Sequence, residues 1–179
     1  TSIKYKLQTS AYIREAHNGS PQNEIIWGYN WGGRIKNNFA RKHEYAWCWS
    51  KGKEFLFNAD DVRVERKVKK NLRTGMPYEK GTIPTSIWTK NTTSKDYIGW
   101  HPTTKNIDIL KRMILAYTNE GDVVLDVFMG SAATAVAALR TGRNYLGCEN
   151  DKEYLDKSKE RIYNVLKEIE NAQSISSVL

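Results

Sequence analysis

Asp126, Phe128, Gly130 and Ser131 fall within six positions of one another, and a second acid, Glu149, follows Gly130 by nineteen residues. A glycine directly after a short apolar run lets the chain turn tightly and lets a ligand approach the backbone. The segment after it, Ala132 to Thr141, is alanine-rich and helical in pattern, so its first N–H groups point at that turn. Glu149 closes the next apolar run, and a carboxylate there can accept hydrogen bonds from both hydroxyls of a ribose. The spacing fits a nucleoside-containing cofactor. Three related chemistries fit less well. A pyrophosphate cradle uses three glycines where this loop has one, and a P-loop needs a Gly-Lys-Ser/Thr ending that is missing. A nucleophilic serine elbow needs Gly-x-Ser-x-Gly, whereas the chain reads Met129-Gly130-Ser131-Ala132. A plain turn that leaves Glu149 on the surface is the remaining alternative.

These residues need a strand, a loop, a helix and a second strand to hold them. Val123 to Asp126 and Asn144 to Cys148 are short runs that suit buried strands, and the alanine-rich segment between them makes a βαβ unit, which favours a parallel sheet. Before this unit, Ile107, Leu110, Ile114 and Tyr117 recur on one helical face, and Glu120-Gly121-Asp122 stops that helix. After it, Asp151 to about Ala172 forms an amphipathic helix with Leu155, Ile162, Leu166 and Ile169 inward. In the first half of the chain, His43 to Ser50 is an aromatic strand, and Glu54 to Asn58 follows across the Lys51-Gly52 turn as its expected hairpin partner. Residues 74–100 carry Gly75-Met76-Pro77, Gly81, Pro84 and Gly99, which signal an irregular segment.

The chain has 179 residues, enough for one domain, and carries 28 Lys+Arg against 20 Asp+Glu. The excess is local. Residues 1–100 hold 18 basic and 9 acidic side chains with all six tryptophans, and residues 101–179 are close to neutral. A basic, aromatic surface suits a polyanion with stackable bases; a tryptophan-rich core ringed by solvated lysines is the competing reading. Cys48 and Cys148 lack metal-ligand spacing, so no metal site is expected. The most apolar stretch, Val123 to Leu139, is interrupted by polar residues, and no leader pattern opens the chain, so a cytoplasmic protein without a membrane span is expected.

Three motifs in order resemble those of the DNA amino-methyltransferases, which act on adenine N6 or cytosine N4. Asp126-Val-Phe128-Met-Gly130-Ser131-Ala-Ala-Thr134 resembles their S-adenosylmethionine loop, and His101-Pro102-Thr103-Thr104-Lys105 is similar to their His-Pro-Thr-Gln-Lys-Pro element. Tyr145-Leu-Gly-Cys-Glu149-Asn-Asp151 resembles their acid-ending strand. The resemblance covers roughly residues 24–165. It implies an α/β Rossmann-like, S-adenosylmethionine-dependent methyltransferase fold, incomplete at its N-terminal side, as a single domain over 1–179. It also implies that Asp126, Phe128, Gly130, Ser131 and Thr134 belong to the cofactor pocket, that Glu149 holds the ribose, and that Thr103 and Lys105 lie near the methionine end. Duplex DNA is the implied substrate, with residues 62–100 as target-recognition segment and Arg63, Arg66, Lys67, Lys69, Lys70 and Arg73 on phosphates.

Amino methylation also needs the family's Asp/Asn/Ser-Pro-Pro-aromatic tetrapeptide to hold the flipped base. The four prolines here, Pro21, Pro77, Pro84 and Pro102, are never adjacent, so the chain itself supplies no catalytic residue. The chain is therefore expected to be a C-terminal portion of a restriction-modification methyltransferase, one half of a split enzyme, or a degenerate relative, with a second chain that supplies the motif, or a second copy of itself, as partner. A non-catalytic DNA-binding subunit derived from such an enzyme is the alternative. Alanines at 132 and 133 replace the family's Gly-Thr, and Asn106 replaces its proline. These departures are expected to weaken the pocket.

Overall fold

A computed structural model describes residues 11–13, 15, 20–30, 32–66, 68–77, 80–90 and 98–176. They belong to two compact units, Thr1–Asn91 and Thr92–Leu179.

The first unit is built on a three-stranded sheet with β1 (Ser20–Gly28) in the centre, β2 (His43–Ser50) on one side and β3 (Ile87–Thr89) on the other. β1 and β2 run antiparallel from Ser20↔Ser50 to Gly28↔His43, and the register shifts at Pro21/Asn23, where proline has no N–H to give the ladder. β3 joins β1 in parallel from Ile26↔Ile87 to Gly28↔Thr89. Ile25, Trp27 and Trp88 are buried. Each buried indole finds an acceptor, Trp27 donating to Lys90 O at 2.6 Å and Trp88 to Thr85 O at 2.6 Å. An indole N–H removed from water without a partner would cost about 1–3 kcal/mol, and these bonds avoid that cost. Two tryptophans thus act as core, which favours the tryptophan-rich core reading at those positions.

The hairpin expected between His43–Ser50 and Glu54–Asn58 does not form. β2 pairs with β1 across residues 29–42, and Glu54–Asn58 joins no ladder, leaving Phe55, Leu56 and Phe57 exposed. Downstream, a 3-10 turn (Asp60–Val62) precedes an open antiparallel arm. Val64 and Thr82 exchange both backbone hydrogen bonds at 2.9 Å, and Lys70 bridges Pro77. Gly81 is required at the crossing, since a Cβ there would lie 2.4 Å from Val64 O.

The second unit begins with α1 (Ile107–Tyr117), then β4 (Val123–Asp126), α2 (Ala133–Leu139), β5 (Asn144–Gly147) and α3 (Lys152–Ser176). β4 and β5 are parallel and in register from Val123↔Asn144 to Asp126↔Gly147. Ile107, Ile114, Val136, Ala137, Ala138 and Val165 form the core, with Val124 and Tyr145 from the inner sheet face packed on it. Four alanines of α2 are buried, and their small side chains let neighbouring backbones come close. Buried Arg143 ties the end of α1 to the turn after α2, donating to Thr118 O at 2.8 Å and to Thr118 Oγ1 at 3.1 Å. Asn106 caps α1, its side chain accepting from Ile109 N at 3.1 Å. The residue that replaces the expected proline is thus a favourable N-cap.

The opposite face of this two-stranded sheet is apolar and open. Val123, Leu125 and Leu146 are 63%, 58% and 59% exposed. No helix among the described residues is long and apolar enough to cross a membrane.

Candidate cofactor site

The ladder of β4 and β5 continues past both strand ends, with Cys148 N donating to Asp126 O at 3.0 Å and Met129 N to Cys148 O at 2.9 Å. This brings the Gly130 loop and Glu149 side by side. Met129 lies over Gly147, where a Cβ would sit 2.3 Å from its sulfur. Asp126 accepts from Phe128 N at 3.0 Å and so shapes the turn. The ring of Phe128 is 88% exposed.

Glu149 is held from two sides. One carboxylate oxygen accepts from Gly130 N at 2.8 Å and the other from Asp151 N at 2.9 Å. Hydrogen bonds from the Asp151, Gly130 and Asn150 backbones keep its pKa below the ordinary glutamate value against the effect of burial. A carboxylate has about four lone-pair sites, so with these amides bound it can still receive a hydroxyl. Asp151 in turn caps α3, accepting from Tyr154 N at 3.0 Å.

The loop is also fastened from α3. Buried Ser158 donates to Gly130 O, and Arg161 donates to Ser131 O at 2.8 Å. Gly130 has φ +49°, and a Cβ there would lie 2.8 Å from His101 Nε2. The imidazole therefore occupies the space a side chain would need. It lies 4.8 Å from the Tyr154 ring and 6.1 Å from Trp100. Its Nδ1 accepts from Thr103 N at 3.3 Å, which places the proton of the neutral ring on Nε2. Burial lowers the His101 pKa, with Lys105 and Arg161 acting in the same direction and Glu149 opposing them.

Ala132 stands at the turn into α2. It adopts the left-handed conformation, φ 59° and ψ 24°, a region that favours glycine. Its methyl is fully buried against Met129, Ala135 and Ile162, so it points into the core. Left-handed backbone costs a non-glycine residue about 1–2 kcal/mol, and burial of one methyl returns about 0.8 kcal/mol. The glycine-like loop survives the replacement at small net cost. The free N–H groups expected at the start of the alanine helix are partly engaged, since Gly130 N serves Glu149 and Ala132 N serves Met129 O. A phosphate cradle is further disfavoured.

The structure brings Asp126, Phe128, Gly130, Ser131 and Glu149 together, and His101 links them to the loop bearing Thr103 and Lys105. Thr103 and Lys105 are exposed and Thr134 is half-buried on α2. The residues fit an adenosine-type cofactor: the acid is fixed and charged, and an aromatic side chain beside it is accessible. Sequence reasoning missed Ser158, which shows as a lone serine on a helical face. His101 was legible only as part of a motif.

The six basic candidates are less uniform. Arg63 is engaged locally, donating to Asp60 at 2.6 Å and to Gly81 O at 3.2 Å. Lys69 pairs with Glu65, and Arg66 is half-buried. Lys70 and Arg73 are exposed. Lys67 lies outside the described residues.

Comparison with known proteins follows this geometry. A family model described as DNA methylase, of the N6/N4 methyltransferase type, matches residues 2–160. The Type II methyltransferase M1.MboII of Moraxella bovis is 32% identical over 157 residues, covering 76% of this chain and 60% of its own. The DNA adenine methyltransferase YhdJ of Escherichia coli K12 is 30% identical over 180 residues, covering 88% and 61%. The chain thus spans about 60% of the length of these relatives. Among solved structures, the M1.HpyAVI-SAM complex is 26% identical with TM-score 0.64, covering 89% of this chain and 70% of that one. The PvuII cytosine-N4-specific DNA methyltransferase, at 17% identity and TM-score 0.68, shares the fold, covering 94% and 64%.

Proposed function

This chain belongs to the N6/N4 DNA methylase family, and on that premise we propose that it is the cofactor-binding and DNA-recognising part of a site-specific DNA amino-methyltransferase. The observation that carries the reading is the Glu149 carboxylate, fixed by the Gly130 and Asp151 amides at the mouth of the glycine loop. S-adenosylmethionine supplies an electrophilic methyl on a sulfonium sulfur. Glu149 receives its ribose hydroxyls, Phe128 offers a face to the adenine, and Gly130 and Ser131 line the loop. Asp126 and Thr134 support that loop, and Thr103 and Lys105 serve the methionine end. Residues 62–100 face duplex DNA, with Lys70 and Arg73 the best placed of the basic side chains.

The amine acceptor comes from elsewhere, because no two prolines are adjacent in this chain. The open apolar face of Val123, Leu125 and Leu146 suits the polypeptide that brings it. Burial of such side chains contributes roughly 25 cal/mol per Å². The same missing motif supports the second reading, a non-catalytic DNA-binding subunit. Transfer of labelled methyl from S-adenosylmethionine to duplex DNA tests both. The chain alone transfers nothing, and adding a relative's segment with the Pro-Pro-aromatic motif restores transfer. Transfer by the chain alone overturns the two-part reading; none in any pairing favours the non-catalytic one.

A further inference from the structure

The basic arm of the first unit ends in a turn that exposes a large apolar side chain. Asn71 N donates to Met76 O and Gly75 N donates to Asn71 O, each at 2.8 Å. The Asn71 side chain accepts from Arg73 N at 2.9 Å and from Thr74 N at 3.2 Å. Gly75, at φ +69°, completes the turn, and Lys70 bridges Pro77 at its base. Leu72 stands 93% exposed at its tip, with Met76 69% exposed beside it. Residues 66–77 contain five basic side chains and no acid.

We propose that Leu72 is an apolar wedge that enters duplex DNA between base steps while Lys70 and Arg73 hold the flanking phosphates. The proposal rests on the DNA-methylase reading above and names the residue that enters the duplex. Cationic side chains neutralise the phosphates and steer the duplex onto the arm. An exposed leucine among them gains nothing from water or from charge, and gains by insertion into an apolar stack. Proteins that open or kink duplexes insert such side chains, leucine and methionine among them. Chemistry on a base requires that base to leave the stack, and a wedge occupies the gap it leaves. The turn is ordered by its own hydrogen bonds before DNA arrives, so little ordering entropy remains to be lost on insertion.

The full chain and a duplex of about 25 base pairs carrying 2-aminopurine, titrated at several salt concentrations, provide the test. Leu72→Ala is expected to weaken binding about tenfold, to leave the salt slope unchanged and to abolish the 2-aminopurine fluorescence rise. Leu72→Met is expected to retain both. Arg73→Ala is expected to reduce the slope by about 0.9 while keeping the fluorescence rise. Leu72 is exposed, so thermal melts of all variants are expected to match the wild type. Wild-type affinity and fluorescence in Leu72→Ala overturn the wedge and leave the DNA reading standing. A wild-type chain that binds no duplex at low salt overturns that reading and the wedge together. Leu72-dependent binding to phosphatidylserine vesicles, with duplex binding indifferent to Leu72, assigns the tip to a membrane and overturns the wedge.

Discussion

Two glycine turns in this molecule are built in opposite ways. The Gly130 turn is fastened by Glu149, Ser158 and Arg161 from other elements and packed against His101. Among the described residues, the 70–77 turn is fastened by its own hydrogen bonds, and it exposes Leu72 and Met76. Both glycines have positive φ, +49° at Gly130 and +69° at Gly75. The difference fits the two roles proposed for them. A small cofactor needs atoms fixed to a fraction of an ångström, whereas a long, charged duplex needs an accessible, locally rigid projection.

Gly→Ala at the two positions gives the largest expected contrast. At Gly130 the alanine meets the strain of left-handed backbone, about 1–2 kcal/mol, and a methyl 2.8 Å from the His101 ring, for which overpacking adds about 1–3 kcal/mol. At Gly75 nothing lies within 4 Å, so only the strain remains. Urea unfolding is expected to show a clear loss for Gly130→Ala and roughly half of it or less for Gly75→Ala. Equal losses would break the comparison.

Glu149→Gln comes next. It places an amide where two N–H groups now point at a carboxylate. Hydrogen bonds to a charged group are worth about 1.5–3 kcal/mol, so affinity for S-adenosylhomocysteine is expected to fall roughly ten- to hundredfold. Duplex affinity is expected to stay the same. A parallel loss of DNA binding in filter retention would contradict the separation of roles.

Acid is expected to loosen the Gly130 turn in two steps and to leave the 70–77 turn unchanged. The His101 pKa is lowered from 6.5, so the unfolded chain takes up that proton first. The stability due to the neutral ring is present above about pH 6.5 and is lost as pH falls through the folded value. Glu149 is likewise lowered from 4.5, so its contribution is present above that value and is lost as pH falls through its own lower folded one. Hydrogen exchange at the Gly130 amide is expected to report both steps, and His101→Gln to remove the upper one. An unchanged upper step would assign it to another group.

The smallest effect is expected at Ala132. Ala132→Gly relieves about 1–2 kcal/mol of strain and forfeits about 0.8 kcal/mol of methyl burial, so the melting temperature is expected to move by only a few degrees, upward if at all. A large destabilisation would mean that the methyl carries more of the packing than its area suggests.

The second unit was largely legible in the sequence because its elements are local. The βαβ order, the glycine and the acid nineteen residues later each have a short-range signature, and the strand ends and Glu149 lie where those signatures put them. The first unit was less legible because its sheet is made by distant partners. His43–Ser50 reads as a strand, but its partner lies upstream across residues 29–42, and no local pattern distinguishes that pairing from a tight hairpin at Lys51-Gly52. Asn106 and Ala132 depart from the family's motif, and each has a three-dimensional neighbour that a linear motif does not record, the Ile109 amide in one case and the buried Met129, Ala135 and Ile162 in the other. Ser158 carried no sequence signal, since its importance comes only from lying beneath Gly130 O.

Isothermal titration of the full chain with S-adenosylhomocysteine, alongside Glu149→Ala, tests the central claim most directly. The account predicts saturable one-to-one binding to the wild type and its loss in the variant, with both proteins melting as folded chains. Absence of heat at millimolar ligand in the wild type, or equal binding by the variant, would contradict it.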